Sequence, residues 1–268
     1  MRRIFIALVV IGFVLPVIWT ALTSVGIQHT NTESPPAWRL DLSLENYAQI
    51  KSEQTFFWRE LFTSVWLSLA VTGTTVATAL MAAYSLARSA FRRKQLVVNS
   101  FLILSSIPVI SYAIPLDITL LHLHLHDTLR GVLLAESALF APLAAFILYG
   151  YIAHLPVDYE EAALLDGANF AGLLLRVVLP LVAPGVIATG VIVFVLSWNQ
   201  FFLPLMLTST EIKTIPVMMR DFFTLDREFD WPKVAAVLVI SLIPVGLFVT
   251  AAHRSLEWFS LNIDDPQD

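Results

Sequence analysis

Six runs of apolar residues, each about long enough to cross a bilayer, leave this chain few ways to fold. A helix needs about 20 predominantly apolar residues to span the hydrocarbon core. The runs lie at about 4–27, 61–87, 96–116, 132–153, 184–207 and 234–252. Hydrocarbon offers backbone amides no water to bond with, so each run is predicted to be helical and the chain an all-α membrane protein with six transmembrane helices. Composition agrees, with 14% charged residues in 268 against about 25% in soluble domains. The longest stretch between runs, about 28–60, holds Pro35-Pro36, Trp38 and an amphipathic Leu44-Glu45-Asn46-Tyr47. It is too short to fold alone, so 1–268 is read as a single membrane domain.

The first run follows Arg2-Arg3, as a signal peptide would. It is too long for such a peptide's apolar core and lacks a small-residue cleavage site, so an uncleaved span is expected. Orientation follows from positive charge in short loops. The 16 Lys and Arg residues divide evenly between the two sides. Concentration breaks the tie, because Arg88, Arg92, Arg93 and Lys94 crowd the very short loop between the second and third runs. That loop, and with it both termini, is placed in the cytoplasm.

Several function classes drop out. The net charge is −5 with no basic block, which gives nucleic acid nothing to bind. No cysteine occurs, so disulfides, thiolate metal sites and cysteine nucleophiles are excluded. The G-x-x-x-x-G-K-[ST] phosphate loop is also missing, and neither a nucleotide site nor any other cofactor is expected in this chain.

The loop between the fourth and fifth runs, about 156–180, is written as structure. Pro156 and Asp158 suit a helix start, and Asp158 with Glu161 has the spacing of a capping box. Asp158, Glu160 and Glu161 would complement the helix dipole in the first turn. Ala162 and Ala163 favour helix, and Gly167 is a natural stop. Ala163 and Gly167, four apart, leave one helix face nearly bare. Asn169 can cap a second helix from Phe170 to Val178, ended by Pro180. These residues alone leave two readings open: an element that docks a partner, or an amphipathic helix resting on the membrane surface.

The order Glu161-Ala162-Ala163, three residues, Gly167, nine residues, Val177-x-Leu179-Pro180 resembles the EAA loop. That signature marks membrane permease subunits of binding-protein-dependent ABC importers; Val177 stands where the family prefers Ile. The resemblance implies that the loop is a cytoplasmic coupling helix held in a cleft of an ATPase subunit. Glu161, Ala162, Ala163 and Gly167 would be the docking positions, with Glu160 and Asp166 beside them. It further implies a second permease subunit, two copies of the ATPase, which would bind the ATP, and an extracytoplasmic substrate-binding protein. The setting would be a bacterial or archaeal cytoplasmic membrane.

The fifth run ends in Ser197-Trp198-Asn199-Gln200-Phe201. Amides inside a span should face a cavity or another helix. Trp198, Asn199 and Gln200 suit a sugar, whose hydroxyls need donors and acceptors and whose ring faces are apolar. The alternative is helix–helix hydrogen bonding. The stretch resembles the Trp-Asn-Glu-Phe segment of maltose-type, MalG-like sugar permeases, with Gln200 in place of Glu. Lys213-Thr214-Ile215-Pro216-Val217 and Asp230-Trp231 are similar to further segments of that subfamily. The likeness runs to about Arg254, whereas the acidic Asn262–Asp268 end differs from the family's basic tail. A sugar is therefore the expected cargo, with a polyamine or peptide as the alternative. An ion-coupled carrier would require an inverted repeat and buried charges. No convergent nucleophile–base set suggests an enzyme.

Other polar residues are expected to be structural. His122, His124 and His126 would share one face of a strand but diverge on a helix, so a solvated outer loop is expected rather than a metal site. Glu136 lies inside the fourth run near its outer end and should snorkel or pair with Arg130, a proton relay being the alternative. Pro108, Pro115, Pro142 and Pro244 should kink their spans.

Overall fold

The computed structural model describes residues 2–30, 37–40, 42–53, 55–209, 212–220 and 231–264. Pro35-Pro36 and Asp230 therefore lie outside the described residues, as do residues 265–268. Contacts divide the chain into two units, Met1–Thr63 with Thr214–Gly246 and Ser64–Lys213 with Leu247–Asp268.

The first unit contains α1 (Arg2–Ser24), β1 (Ile27–Thr30), β2 (Ala37–Leu40) and α2 (Glu45–Glu53). It also holds the start of α3 (Thr55–Arg88), α12 (Ile215–Met219) and the first part of α13 (Trp231–Asp264). The first span ends three residues early, because Gly26 turns the chain at φ 100 and β1 begins. β1 and β2 pair antiparallel with Ile27 opposite Leu40, the one strand pair among the described residues. The amphipathic segment after it forms α2. There the Asn46 amide donates to the Ser24 carbonyl at 3.0 Å, and the Tyr47 and Ser24 hydroxyls share a hydrogen bond of 2.7 Å. The Asn46 bond caps a carbonyl at the end of α1, where helix geometry leaves the last carbonyls without partners.

The second unit holds the rest of α3, α4 (Lys94–Ser105), α5 (Ile110–His122), α6 (Leu129–Ala153), α7 (Asp158–Leu165) and α8 (Phe170–Leu173). A π-helical turn (Leu174–Val178), α9 (Leu179–Leu181), α10 (Ala183–Trp198), α11 (Phe202–Leu207) and the end of α13 complete it. α6 is central: α4, α10 and α11 all pack on it. Its Ala144, Leu148 and Ile152 are fully buried together with Val178 of the π turn. Between helices in lipid, close approach rather than the hydrophobic effect drives association, and small residues permit it. Gly185 is such a residue, since a Cβ there would run into the Tyr151 ring. Polar residues within the helices mostly bond back to their own turn, as Thr72 does to the Ser68 carbonyl at 2.7 Å and Thr78 to the Thr74 carbonyl at 2.8 Å.

The expected spans are met unevenly. Among the described residues three helices are long and apolar enough to cross a membrane, Phe56–Arg88, Leu129–Ala153 and Trp231–Glu257. They contain the second, fourth and sixth runs. The third run is not one rod: α4 and α5 meet at 93°. The break falls before Pro108, which has no N–H to continue the ladder and disfavours helix in the residue before it. Ser105 and Ser106 donate to the Leu102 carbonyl at 2.8 and 2.9 Å, satisfying a group the break exposes. The fifth run is also shorter than expected, because α10 stops at Trp198 and the chain re-enters helix only at Phe202. Residues Phe170–Leu181 meet α10 at 81°. Counting each bent pair as one span gives up to five, with Leu8–Ser24 as a shorter apolar helix. Of the four prolines, Pro108 lies at a break, while Pro115, Pro142 and Pro244 sit inside helices.

Around the histidines the loop is ordered rather than merely solvated. His124 and Asp127 have φ of 55 and 54. The Asp127 carboxylate accepts from the Ser209 amide at 3.0 Å and its hydroxyl at 2.6 Å, and the Asp127 N–H reaches the Leu207 carbonyl at 2.9 Å. His126 Nε2 lies 3.2 Å from Asp117. Among the described residues no His, Asp and Glu groups converge as a metal site would require.

Candidate functional site

The loop after α6 contains the sequence-predicted residues Glu160, Glu161, Ala162, Ala163, Asp166 and Gly167. Its first helix starts differently from the expected capping box. Val157 is the N-cap with helical backbone at φ −68 and ψ −23, and no side chain caps the helix. A side-chain cap needs extended backbone at the residue that supplies it. Asp158 is already inside the helix and cannot provide one. The Glu160 and Glu161 N–H groups instead donate to the Val157 carbonyl at 2.8 and 3.0 Å.

The far end of α7 follows expectation. Gly167 has φ 85, its N–H donates to the Leu164 carbonyl and the Ala168 N–H to the Ala163 carbonyl, each at 3.0 Å. This pair of bonds is a Schellman closure, which requires the left-handed backbone that glycine adopts most easily. Asn169 then caps α8, its side-chain oxygen accepting from the Gly172 N–H at 2.7 Å. Replacing Asn169 with Ala is expected to cost about 1 kcal/mol of local helix stability. Hydrogen exchange checks this, with faster exchange expected at Gly172 in the variant.

Pro180 does not end the second helix, which continues to Leu181. A proline ring crowds the carbonyl four residues back and offers it no N–H. Here that carbonyl belongs to Arg176, inside the π turn. A widened turn accommodates the crowding without breaking the helix.

Glu160 faces inward, unlike its neighbours Glu161 and Ala162, which are exposed. Only 4% of it is accessible. Arg88, at the end of α3, donates from Nε to Glu160 Oε1 at 2.7 Å, and its Nη2 lies 2.6 Å from the same oxygen as an ion pair. The Tyr84 hydroxyl donates to Oε2 at 2.8 Å, and Arg88 Nη2 also reaches the Leu155 carbonyl at 3.1 Å. Tyr84 packs edge-on against Phe170 with ring centroids 5.8 Å apart. The last turn of α3 thus grips both α7 and α8.

The opposite side of α7 is open. Leu165 is 90% exposed, and Tyr159, Leu164 and Gly167 are exposed too. Beside it lies a groove of about 630 Å³ lined by Ala163, Asp166, Gly167, Asn169, Gly172 and Arg176 among others. A rigidly mounted helix with an apolar outer face suits a protein partner.

Trp198, Asn199 and Gln200 are brought to a helix break rather than a mid-span cavity. Trp198 is buried and stacks on Phe194 with centroids 6.0 Å apart, and Phe194 stacks on Phe248 at 4.0 Å. The Asn199 amide donates to the Val195 carbonyl at 2.8 Å, and Gln200 Oε1 accepts from the Phe202 N–H at 3.2 Å. Gln200 satisfies the Phe202 N–H that the break leaves free, whereas Asn199 adds a second donor to a carbonyl that its own N–H already reaches at 3.1 Å.

Glu136 does not snorkel, and its partner is not Arg130. It is fully buried between α6 and α10, where the Ser197 hydroxyl donates to Oε2 at 2.5 Å and Oε1 meets no hydrogen-bond partner among the described residues. A side chain snorkels only when its stem can reach water, and packing around α6 closes that route. Tyr84 and Arg88, which hold Glu160, and Ser197, which holds Glu136, had no such role in the sequence. Arg88 drew notice only as a loop charge.

Residues 75–258 match the family described as binding-protein-dependent transport system inner membrane component. The chain is 30% identical over 251 residues to the sulfoquinovosyl glycerol transport system permease protein SmoH of Agrobacterium fabrum, covering 93% of this chain and 87% of that protein. It is 33% identical over 247 residues to the trehalose/maltose transport system permease protein MalG of Thermococcus litoralis, covering 89% and 88%. Its fold is similar to a chain of a bacterial ABC transporter involved in the import of the acidic polysaccharide alginate, with TM-score 0.78, 18% identity and 94% of each chain covered.

Proposed function

The chain belongs to the family of binding-protein-dependent transport system inner membrane components, and from that premise we propose that it carries a carbohydrate and is driven through α7. It is a multi-pass, non-catalytic permease subunit of an ATP-driven ABC importer in the cytoplasmic membrane. ATP hydrolysis belongs to a partner subunit, and a substrate-binding protein delivers the solute. The assembly we propose contains a second, different permease chain and two ATPase copies, with both termini of this chain in the cytoplasm. Arg92 and Arg93, in the short link after α3, and Lys94 at the start of α4 support that orientation.

One observation carries the docking assignment. α7 is fixed to α3 on one side by Glu160 and closed by Gly167, while Glu161, Ala162, Asp166 and Leu165 face outward. A helix resting on lipid would need only an apolar face; a helix that transmits force must also be anchored. Glu161, Ala162, Ala163, Asp166 and Gly167 are read as the contact with the ATPase, and Glu160 as the anchor behind it.

The carbohydrate assignment rests on the relatives, whose names specify sulfoquinovosyl glycerol and trehalose or maltose. Trp198, Asn199 and Gln200 remain the residues proposed for the path. Asn199 is already exposed, whereas the packing of Trp198 implies that the end of α10 must shift before its ring can reach a solute. Proteoliposomes containing the whole assembly test the assignment. ATP-dependent accumulation of a labelled di- or trisaccharide in the presence of its binding protein is expected. Accumulation of polyamines or peptides instead, with no saccharide uptake, would reject the carbohydrate reading.

A further inference from the structure

The Glu160 clamp has a geometry that a docking contact alone does not need. Four polar contacts converge on one turn of α3: two from Arg88 to Glu160 Oε1, one from Tyr84 to Oε2, and one from Arg88 to the Leu155 carbonyl. Every one of them joins α3 to the α6–α7 connection, across 67 to 76 residues of sequence. The Tyr84 ring adds a contact to Phe170, so both helices of the loop meet α3 at one place. Both carboxylate oxygens are occupied, and the Glu160 and Arg88 side chains are 5% and 18% exposed. A paired and nearly dry carboxylate is held far more firmly than a surface ion pair.

From this geometry we infer that Tyr84, Arg88 and Glu160 form a transmission joint through which displacement of α7 moves the α3 span. They are positioning residues, and the inference rests on the importer reading above. α7 has only eight residues and is flanked by turns, so without a lateral tie a push on it would be absorbed by bending at Leu155–Val157 and Asp166–Ala168. The joint removes that slack. Arg88 holds two points at once, the Glu160 Oε1 oxygen and the Leu155 carbonyl, which the planar fork of a guanidinium allows and a single lysine-type contact would not. The second carboxylate oxygen, held by Tyr84, fixes the orientation of the Glu160 side chain. Load entering at α7 is therefore delivered to the end of α3, a helix of 34 residues.

The test uses the complete reconstituted importer, with ATP hydrolysis and solute uptake measured on the same vesicles. Glu160→Gln and Arg88→Met remove the charge pair while keeping side-chain length. Both variants are expected to retain bound ATPase and to hydrolyse ATP, with solute moved per ATP falling roughly tenfold. Exchanging the charges, Arg88→Glu with Glu160→Arg, restores the pair and is expected to recover a large part of the loss. Unchanged transport per ATP in both single variants would overturn the joint. So would loss of the ATPase from the complex, because that is the signature of a merely structural support. The unmutated assembly separates the two levels: no ATP-driven uptake there defeats the importer reading itself, whereas uptake that survives both single variants defeats only the joint.

Discussion

Gly167→Phe is expected to leave the protein folded and in the membrane while lowering ATP-driven uptake roughly tenfold or more. Two facts place the loss on coupling rather than folding. A Cβ at Gly167 would meet nothing within 4 Å beyond its chain neighbours, so a side chain can leave the backbone there without an immediate clash. Its φ of 85 does impose strain, about 1–2 kcal/mol for an L-residue in left-handed backbone. That is enough to loosen the Schellman closure but not to unfold a bundle. The ring would then occupy the outer side of α7, where the proposed partner approaches. Gly167→Asn is the control, because asparagine tolerates left-handed backbone and adds little bulk. Uptake close to the unmutated level is expected for Asn and a large deficit for Phe, with equal amounts of both in the membrane fraction. Normal uptake by the Phe variant would remove Gly167 from the docking face.

Ser197→Ala is expected to destabilise the protein by about 1–3 kcal/mol, the cost of stranding a buried polar group. Glu136 has a single partner, Ser197, and its Oε1 has none among the described residues. The substitution would leave a fully buried carboxyl with no hydrogen bond at all. Replacing both residues, Glu136→Leu with Ser197→Ala, removes the polar groups together and should recover most of the loss, since well-packed apolar residues often equal or exceed a buried polar pair. Thermal unfolding in detergent checks the order: unmutated and double variant close together, Ser197→Ala clearly lower. Equal stability of Ser197→Ala and the unmutated protein would show that the pair does not hold α10 to α6. This pair lies beside Trp198, so it fixes the very end of α10 that must shift for Trp198 to be uncovered.

Much of this was legible in the residues, for identifiable reasons. Apolar length alone located α3, α6 and α13, which stay helical even through Pro142 and Pro244. The closing of α7 at Gly167 and the cap at Asn169 were also readable, as both depend on local backbone chemistry within a few residues. The 93° break at Pro108 was anticipated only as a kink. Whether a proline bends or breaks a helix depends on what satisfies the freed carbonyls, and here Ser105 and Ser106 do so. The inward turn of Glu160 could not be read locally at all, since three acidic residues in one helical turn look alike until α3 is placed beside one of them. Arg88 and Tyr84 are more than 70 residues away in sequence. Glu136 was misjudged for the same reason: its depth in the run suggested a route to water that packing between α6 and α10 closes.

The chain has no cysteine, so a single Leu165→Cys substitution places one thiol on a residue of α7 that is 90% exposed. Cross-linking from that thiol in whole cells is the most direct test of the central claim, that α7 is the cytoplasmic helix through which an ATPase drives this permease. The account predicts a cross-linked product containing the ATPase subunit and no labelling by a membrane-impermeant thiol reagent added outside the cytoplasmic membrane. Labelling from outside, with no ATPase adduct, would contradict it.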